Sequence, residues 1–260
     1  MHQLLEGKTA LILGVANKWS LAYAIAQAFH REGARLLLTY QGERLKGTVE
    51  ELGQELGAAR IFDCDVTKDD DLARLTETLR GEALNKDARL DAVVHSIAFA
   101  NREDLTHAFL ETSRAGYLLA QEVSAYSMVA VARATAPLMT AGGSMMTLSY
   151  LGANRVIPNY NVMGVAKAAL EASVRYLASD LGPSNIRVNA ISAGPVKTAS
   201  ARAVKDFSTM LERVAARSPL RRNCDPAEVA DAAVFLASDL GRGVTGNLLF
   251  VDAGYQIMGL

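Results

Sequence analysis

Cysteine is scarce in this chain. Of 260 residues only Cys64 and Cys224 carry thiols, far apart in sequence and outside any Cys-x-x-Cys or Cys/His cluster. That speaks against a disulfide framework and a structural zinc, and fits a reducing, cytoplasmic setting. Histidine is as sparse: His2, His30, His95 and His107 form no ligand cluster, so no metal is expected. Charge of one sign is also lacking. Lys and Arg total 27 and Asp and Glu 28, for a net charge of −1. A nucleic-acid partner would call for a basic excess, and a disordered tail for a charge block; neither is present. No apolar run reaches the roughly 20 residues of a membrane helix. Met1 to Lys8 lack the basic start and long apolar stretch of a signal peptide, so no membrane association is expected. Repeats, low-complexity tracts and Pro/Ser-rich linkers are missing too. Half the residues are hydrophobic, enough to bury the core of one domain spanning 1–260.

What is there is a regular alternation. Short apolar runs at Thr9–Leu13, Arg35–Tyr40, Arg60–Asp65, Leu90–Ser96, Gly143–Ser149, Ile186–Ile191 and Asn247–Asp252 read as strands. Between them, amphipathic stretches read as helices over Ser20–Arg31, Leu45–Leu56, Asp69–Leu84, Gly116–Thr140, Asn161–Leu181 and Pro226–Ser238. Strand–helix alternation implies right-handed crossovers and a mainly parallel seven-stranded sheet flanked by helices. The fold class is therefore α/β, a single doubly wound Rossmann-type domain, with ligands beyond the carboxyl ends of its strands.

The first strand runs into Gly14, and Ser20 and Ala22 supply small residues at the start of the next helix. A glycine between a buried strand and a helix is where a pyrophosphate meets backbone N–H groups. An ordinary strand–helix turn has the same look. The second strand ends at Tyr40-Gln41. Gln41 can bond a ribose 2′-hydroxyl and offers no positive charge to a 2′-phosphate, which favours NADH over NADPH, although Arg44 is close. Asp65, before Val66, is placed either to accept from adenine or to cap the helix that follows. Ser96-Ile97-Ala98 closes the fourth strand with residues small enough for a close ligand approach.

Six residues separate Tyr160 from Lys167 in Tyr160-Asn161-Val162-Met163-Gly164-Val165-Ala166-Lys167. Together with Gly14-x5-Ser20-x-Ala22, His95-Ser96-Ile97-Ala98-Phe99-Ala100, Leu148-Ser149-Tyr150-Leu151-Gly152 and Asn189-Ala190-Ile191-Ser192-Ala193-Gly194-Pro195, this segment resembles the bacterial NADH-dependent enoyl-acyl carrier protein reductases. That family is a divergent branch of the short-chain dehydrogenases, and the resemblance runs essentially end to end. In most short-chain dehydrogenases three residues separate the Tyr and Lys. Here the position four before Lys167 is Met163, which has no proton to donate.

The resemblance implies the last reduction of fatty-acid elongation: hydride passes from NADH to the β-carbon of a trans-2-enoyl thioester on acyl carrier protein. It implies Tyr160 as donor to the developing enolate, Lys167 on the nicotinamide ribose, and Tyr150 as a second active-site tyrosine. It places Gly14, Ser20, Leu21, Gln41, Asp65, Val66, Ile97, Lys167, Val196, Lys197, Thr198, Ala199 and Ser200 at the cofactor, and Ala100, Tyr150 and Tyr160 at the substrate. A lid near 198–212, with Ala203, Val204, Phe207 and Met210 toward the acyl chain, and a homotetramer are further implications. A permanently packed helix is the other reading of the lid segment. Arg202, Lys205 and Arg213 are candidates for meeting an acidic carrier protein.

The spacing has a physical sense. Seven residues advance a helix by roughly 10 Å against roughly 6 Å for four, and both keep the side chains near one face. A ketone being reduced sits over the nicotinamide, whereas in conjugate reduction the β-carbon sits there and the oxygen is displaced. A tyrosine moved along the helix suits the second case. A ketone reductase of the same fold, and a catalytically silent dinucleotide-sensing protein, are the competing readings.

Overall fold

Seven apolar runs become seven strands of one sheet. The computed structural model describes residues 3–83, 89–198 and 207–259. The strands are β1 (Thr9–Leu13), β2 (Arg35–Tyr40), β3 (Arg60–Asp63), β4 (Ala92–His95), β5 (Gly143–Ser149), β6 (Ile186–Ala193) and β7 (Leu248–Val251). Their order is β3-β2-β1-β4-β5-β6-β7, and every neighbouring pair is parallel. A parallel sheet is covered on both faces, so its inner strands are continuous apolar runs rather than alternating ones. All five residues of β1 and all four of β4 are buried. Successive side chains still point to opposite faces. Ile12 joins Ile25, Phe29 and Val229 in one layer, while Leu11 and Leu13 join Met128, Leu170 and Val188 in the other.

The helices are α1 (Leu21–Arg31), α2 (Glu43–Glu55), α3 (Asp69–Thr78), α4 (Arg102–Thr106), α5 (Arg114–Gln121), α6 (Ser127–Thr135), α7 (Asn161–Leu181), α8 (Phe207–Arg217) and α9 (Pro226–Ala237). Local chemistry sets their ends. Ser20 caps α1 by accepting from the Tyr23 N–H at 3.2 Å. Asp225 and Glu228 form a reciprocal capping box at α9, with Pro226 in its first turn. The chain leaves α7 through Gly182-Pro183-Ser184 and a left-handed Asn185.

Two expected helices differ in detail. The stretch Gly116–Thr140 is not one helix: α5 and α6 are joined by a π-helical segment, Glu122–Tyr126, and α6 runs into a 3₁₀ turn at Ala136–Leu138. The wide turn coincides with two serine contacts. Ser124 Oγ donates to the Phe99 carbonyl (3.0 Å) and accepts from its N–H (2.9 Å). Ser127 Oγ lies 2.8 Å from His95 Nε2. The helix is thereby tied to the end of β4, as π-helical turns often are at functional sites. The third helix likewise passes into a π-helical segment at Leu79–Ala83.

His95 is fully buried between Ser127 and Thr147, its Nδ1 2.9 Å from Thr147 Oγ1. Burial, reinforced by the charge of Lys167, pushes its pKa down to about 3. The ring is neutral and each of its nitrogens lies on a hydroxyl: Thr147 also reaches the His95 carbonyl at 3.1 Å and Ser127 donates to the Val123 carbonyl at 2.7 Å. His95 is thus a tie between β4, β5 and α6. The direction of the strand crossovers reverses between β1 and β4, which opens a crevice at their carboxyl ends.

Candidate active site

At that crevice the chain turns at Gly14 with φ +100°, and a Cβ added there would lie 2.1 Å from the Ser96 carbonyl oxygen. Only glycine lets the ends of β1 and β4 approach this closely. The result is a cleft of about 560 Å³ running across the carboxyl ends of β1, β2, β3, β4 and β5. Gly14, Ser20, Leu21, Gln41, Asp65, Val66, Ile97, Lys167 and Thr198 all line it. Val196 and Lys197 do not. They line a second hollow of about 570 Å³ between α1 and the start of α9, which Ser20 also borders. Ala199, Ser200, Arg202, Ala203, Val204 and Lys205 lie outside the described residues, and Arg213 is exposed on α8.

The end of the cleft at β2 and β3 is acidic. Gln41 and the Asp65 carboxylate line this end together. Asp65 accepts from the Thr67 N–H at 3.1 Å and the Thr67 hydroxyl at 2.7 Å, so it shapes the turn ahead of α3 as well. Burial works to raise the Asp65 pKa, but the bonds from Thr67, with Gln41 and Lys68 nearby, bring it below the ordinary value. Asp63 holds the Gly42 N–H at 2.9 Å, and Lys46 is drawn to Glu43 at 3.7 Å. Cys64 borders this end, but burial, then Asp71 and Asp65, push its thiol up to about 12, which keeps it an unreactive thiol.

Toward β5 the cleft is lined by Leu148, Ser149 and Lys167; Ala100, Tyr150 and Tyr160 do not line it, and the tyrosines lie just beyond, Tyr150 following Ser149 in the chain. The rings of Tyr150 and Tyr160 meet edge to face, 5.0 Å between centroids at 74°. Such contacts suit the quadrupoles of both rings. Tyr160 caps the head of α7, and its ring lies on Gly152, where a Cβ would be 2.3 Å from Cδ1. Met163, in the slot that most short-chain dehydrogenases give to tyrosine, is only 7% exposed. It packs with Leu105, Ala120, Val162 and Ala166, against which Ala100 and Tyr160 also rest. That position is therefore committed to the core. The Tyr150 hydroxyl reaches Met210 Sδ on α8 at 3.6 Å.

Lys167 is 6% exposed and donates from Nζ to the Leu148 carbonyl at 2.7 Å. Burial lowers its pKa to about 8, against the pull of Glu171. Burial raises the Tyr160 pKa far above the usual phenol value, helped by Tyr150 and Glu171. Tyr150 is pushed up to about 12, again by burial first, then by Tyr255 and Asp252. Both phenols stay protonated at neutral pH, as proton donors must. Three residues near this end were not singled out from the sequence as functional: Ser149, Asn154 and Glu171. Glu171, four residues beyond Lys167, accepts from Ser149 Oγ at 2.5 Å and from Asn154 Nδ2 at 3.0 Å. The i, i+4 offset from Lys167 was the available signal.

Among the described residues no group of three or more His, Cys, Asp or Glu side chains is gathered as a metal site, and no helix is long and apolar enough to cross a membrane. A family profile described as Enoyl-(Acyl carrier protein) reductase matches residues 14–256. The chain is 53% identical over 259 residues to an NADH enoyl-acyl-carrier-protein reductase FabI of Bacillus cereus, covering 99% of this chain and all of that one. It is 49% identical over 256 residues to the NADPH enoyl-acyl-carrier-protein reductase FabI of Staphylococcus aureus, covering 97% of this chain and 98% of that one. The crystal structure of the Bacillus cereus reductase with NADP+ and indole naphthyridinone superposes with a TM-score of 0.96 at 53% identity, over 99% of this chain and 100% of that one.

The Gly14 cradle gives a direct test. In Gly14→Ala the new methyl meets backbone that cannot swing aside, so NADH affinity measured by fluorescence titration should fall at least about tenfold. Wild-type affinity in that variant would contradict the cradle.

Proposed function

From the premise that the chain belongs to the enoyl-(acyl carrier protein) reductase family, we propose how its cleft carries out the reaction. The protein is an enoyl-acyl carrier protein reductase of fatty-acid biosynthesis. It saturates the trans-2-enoyl thioester by hydride transfer to the β-carbon from a nicotinamide dinucleotide. The Gly14 turn fits a pyrophosphate: it lines the cleft ahead of the α1 head, and a side chain there would strike the Ser96 backbone and push apart the strand ends that form the cleft. When bound, the reduced nicotinamide supplies the hydride. The work left to the chain is to orient both partners and to manage the charge that develops on the thioester oxygen.

We assign that second task to Tyr160. It donates to the oxygen as enolate character grows, in a site where water is scarce and a donor is worth more than in solution. Lys167 holds the nicotinamide ribose hydroxyls and keeps the local field positive. Tyr150, edge-on to Tyr160, positions the substrate and supports the donor. The observation that carries this reading is the contrast along α7: Tyr160 stands at the helix head against Tyr150, while Met163 is packed into the core. Residues near 198–212 act as a lid, supported by the contact of Met210 with the Tyr150 hydroxyl.

NADH is the preferred donor in this reading. Gln41 carries no charge, and a 2′-phosphate beside it would meet the Asp65 carboxylate, with Arg44 of α2 as the cation close by in sequence. Relatives named for either cofactor make this a property of the individual chain. A cytoplasmic setting is supported by two buried free thiols. A homotetramer is supported by apolar surface left open on one protomer. Leu118 is 61% and Tyr126 49% exposed, and every residue of edge strand β7 is only half-buried. A monomer by light scattering would overturn that assembly.

The decisive assay compares a crotonyl thioester with a β-ketoacyl thioester, each with NADH and with NADPH. The enoyl substrate with NADH should give the highest kcat/KM. Faster turnover of the ketone would sink the mechanism, and an equal or higher value with NADPH would sink the cofactor reading. Tyr160→Phe should lower kcat by on the order of 10- to 100-fold while leaving NADH affinity nearly unchanged. A variant that loses NADH binding instead would reassign Tyr160.

A further inference from the structure

We propose that Glu171 is a positioning residue of the active site: its buried carboxylate clamps the segment that carries Tyr150 and places a negative charge one helical turn from the Lys167 ammonium. The inference rests on the reading of Lys167 and Tyr150 given above. Glu171 is 7% exposed. A carboxylate taken out of water is costly unless it is bonded and balanced by charge, so its presence among apolar residues of α7 needs a reason.

Its two oxygens point to that reason. Oε1 accepts from Ser149, the last residue of β5, at 2.5 Å. Oε2 accepts from Asn154, which closes the 3₁₀ turn Leu151–Ala153, at 3.0 Å. Tyr150 lies between the two anchors. The clamp therefore fixes both ends of the short loop that sets Tyr150 against Tyr160 and lays Gly152 under the Tyr160 ring.

The same carboxylate sits four residues from Lys167, on one face of α7. Around the Lys167 ammonium stand Glu171 on its own helix, the neutral His95 from β4 and the Leu148 carbonyl from β5. Of these Glu171 is the group that favours the charged form, and burial opposes it. Without that charge the ammonium would lose its proton at lower pH. The sign follows directly. Lys167 is charged below its pKa and neutral above, so NADH affinity that depends on the charge is full at low pH and lost as pH rises. The wild-type break falls near 8, and removal of Glu171 moves it down.

The experiment is NADH affinity from pH 6.5 to 9.5, with kcat at each pH, for the wild type and Glu171→Gln. Lys167→Arg, which stays charged throughout, serves as the reference. The break should move down by at least about one unit in Glu171→Gln and disappear in Lys167→Arg, either because affinity is flat or because binding is lost. If the break persists unchanged in Lys167→Arg, the Lys167 reading itself fails. If it disappears there but stays put in Glu171→Gln, the role of Glu171 is overturned and the Lys167 reading survives. Ser149→Ala and Asn154→Ala separate the clamp from the charge and cover the case in which Glu171→Gln does not fold. Each keeps the carboxylate, so kcat should drop several-fold with the break unmoved. Wild-type kcat in both would refute the clamp.

Discussion

A lysine ammonium almost closed off from water sets the terms for the rest of this structure. Lys167 is 6% exposed, and its ammonium is held by one carbonyl, with the charge of Glu171 set against the cost of burial. The Leu148 carbonyl at 2.7 Å is free to accept because it lies near the carboxyl end of β5, and Glu171 follows one turn along α7. That fixes α7 against β5 and so fixes where Tyr160, at the helix head, can stand. Tyr150 is placed by the same strand end. The proposed mechanism needs a positive field and a protonated phenol, and the packing of one helix on one strand positions the candidates for both.

The sheet provides the second half of the site by the same logic of strand ends. Because every strand is parallel, all carboxyl ends open on one side, and the crossover reversal between β1 and β4 leaves the crevice there. Gly14 lets the ends of β1 and β4 close on each other there, and Asp65 gives one end of the crevice its acidic character. The π-helical turn at Glu122–Tyr126 looks like a defect in a helix. It is where Ser124 and Ser127 tie the helical layer to Phe99 and His95 at the wall of the crevice.

Much of this was legible in the residues themselves. Buried parallel strands are apolar runs bounded by glycine or charge, and β1, β2, β5 and α7 fall where those patterns put them. The tyrosines and lysine stood out through spacing and context. What was hidden depended on tertiary contact. Nothing in the amphipathic period of Gly116–Thr140 marks a π-helical turn, which coincides with serine contacts to Phe99 and His95 far upstream. The short α4 is too brief for periodicity to register. Val196 and Lys197 share a segment with Thr198, yet the chain crosses from one hollow to the other within it. Glu171 reads as a solvated helix residue until its partners, 22 and 17 positions upstream, are seen.

The charge on Lys167 is the claim on which the others rest, and it can be observed directly. Isotope-labelled lysine side chains titrated by NMR in the free protein should show one ammonium with a pKa near 8, missing from Lys167→Arg. If the resonance lost in that variant instead titrates with the exposed lysines at the ordinary value near 10.4, the buried ammonium is not what organises this site.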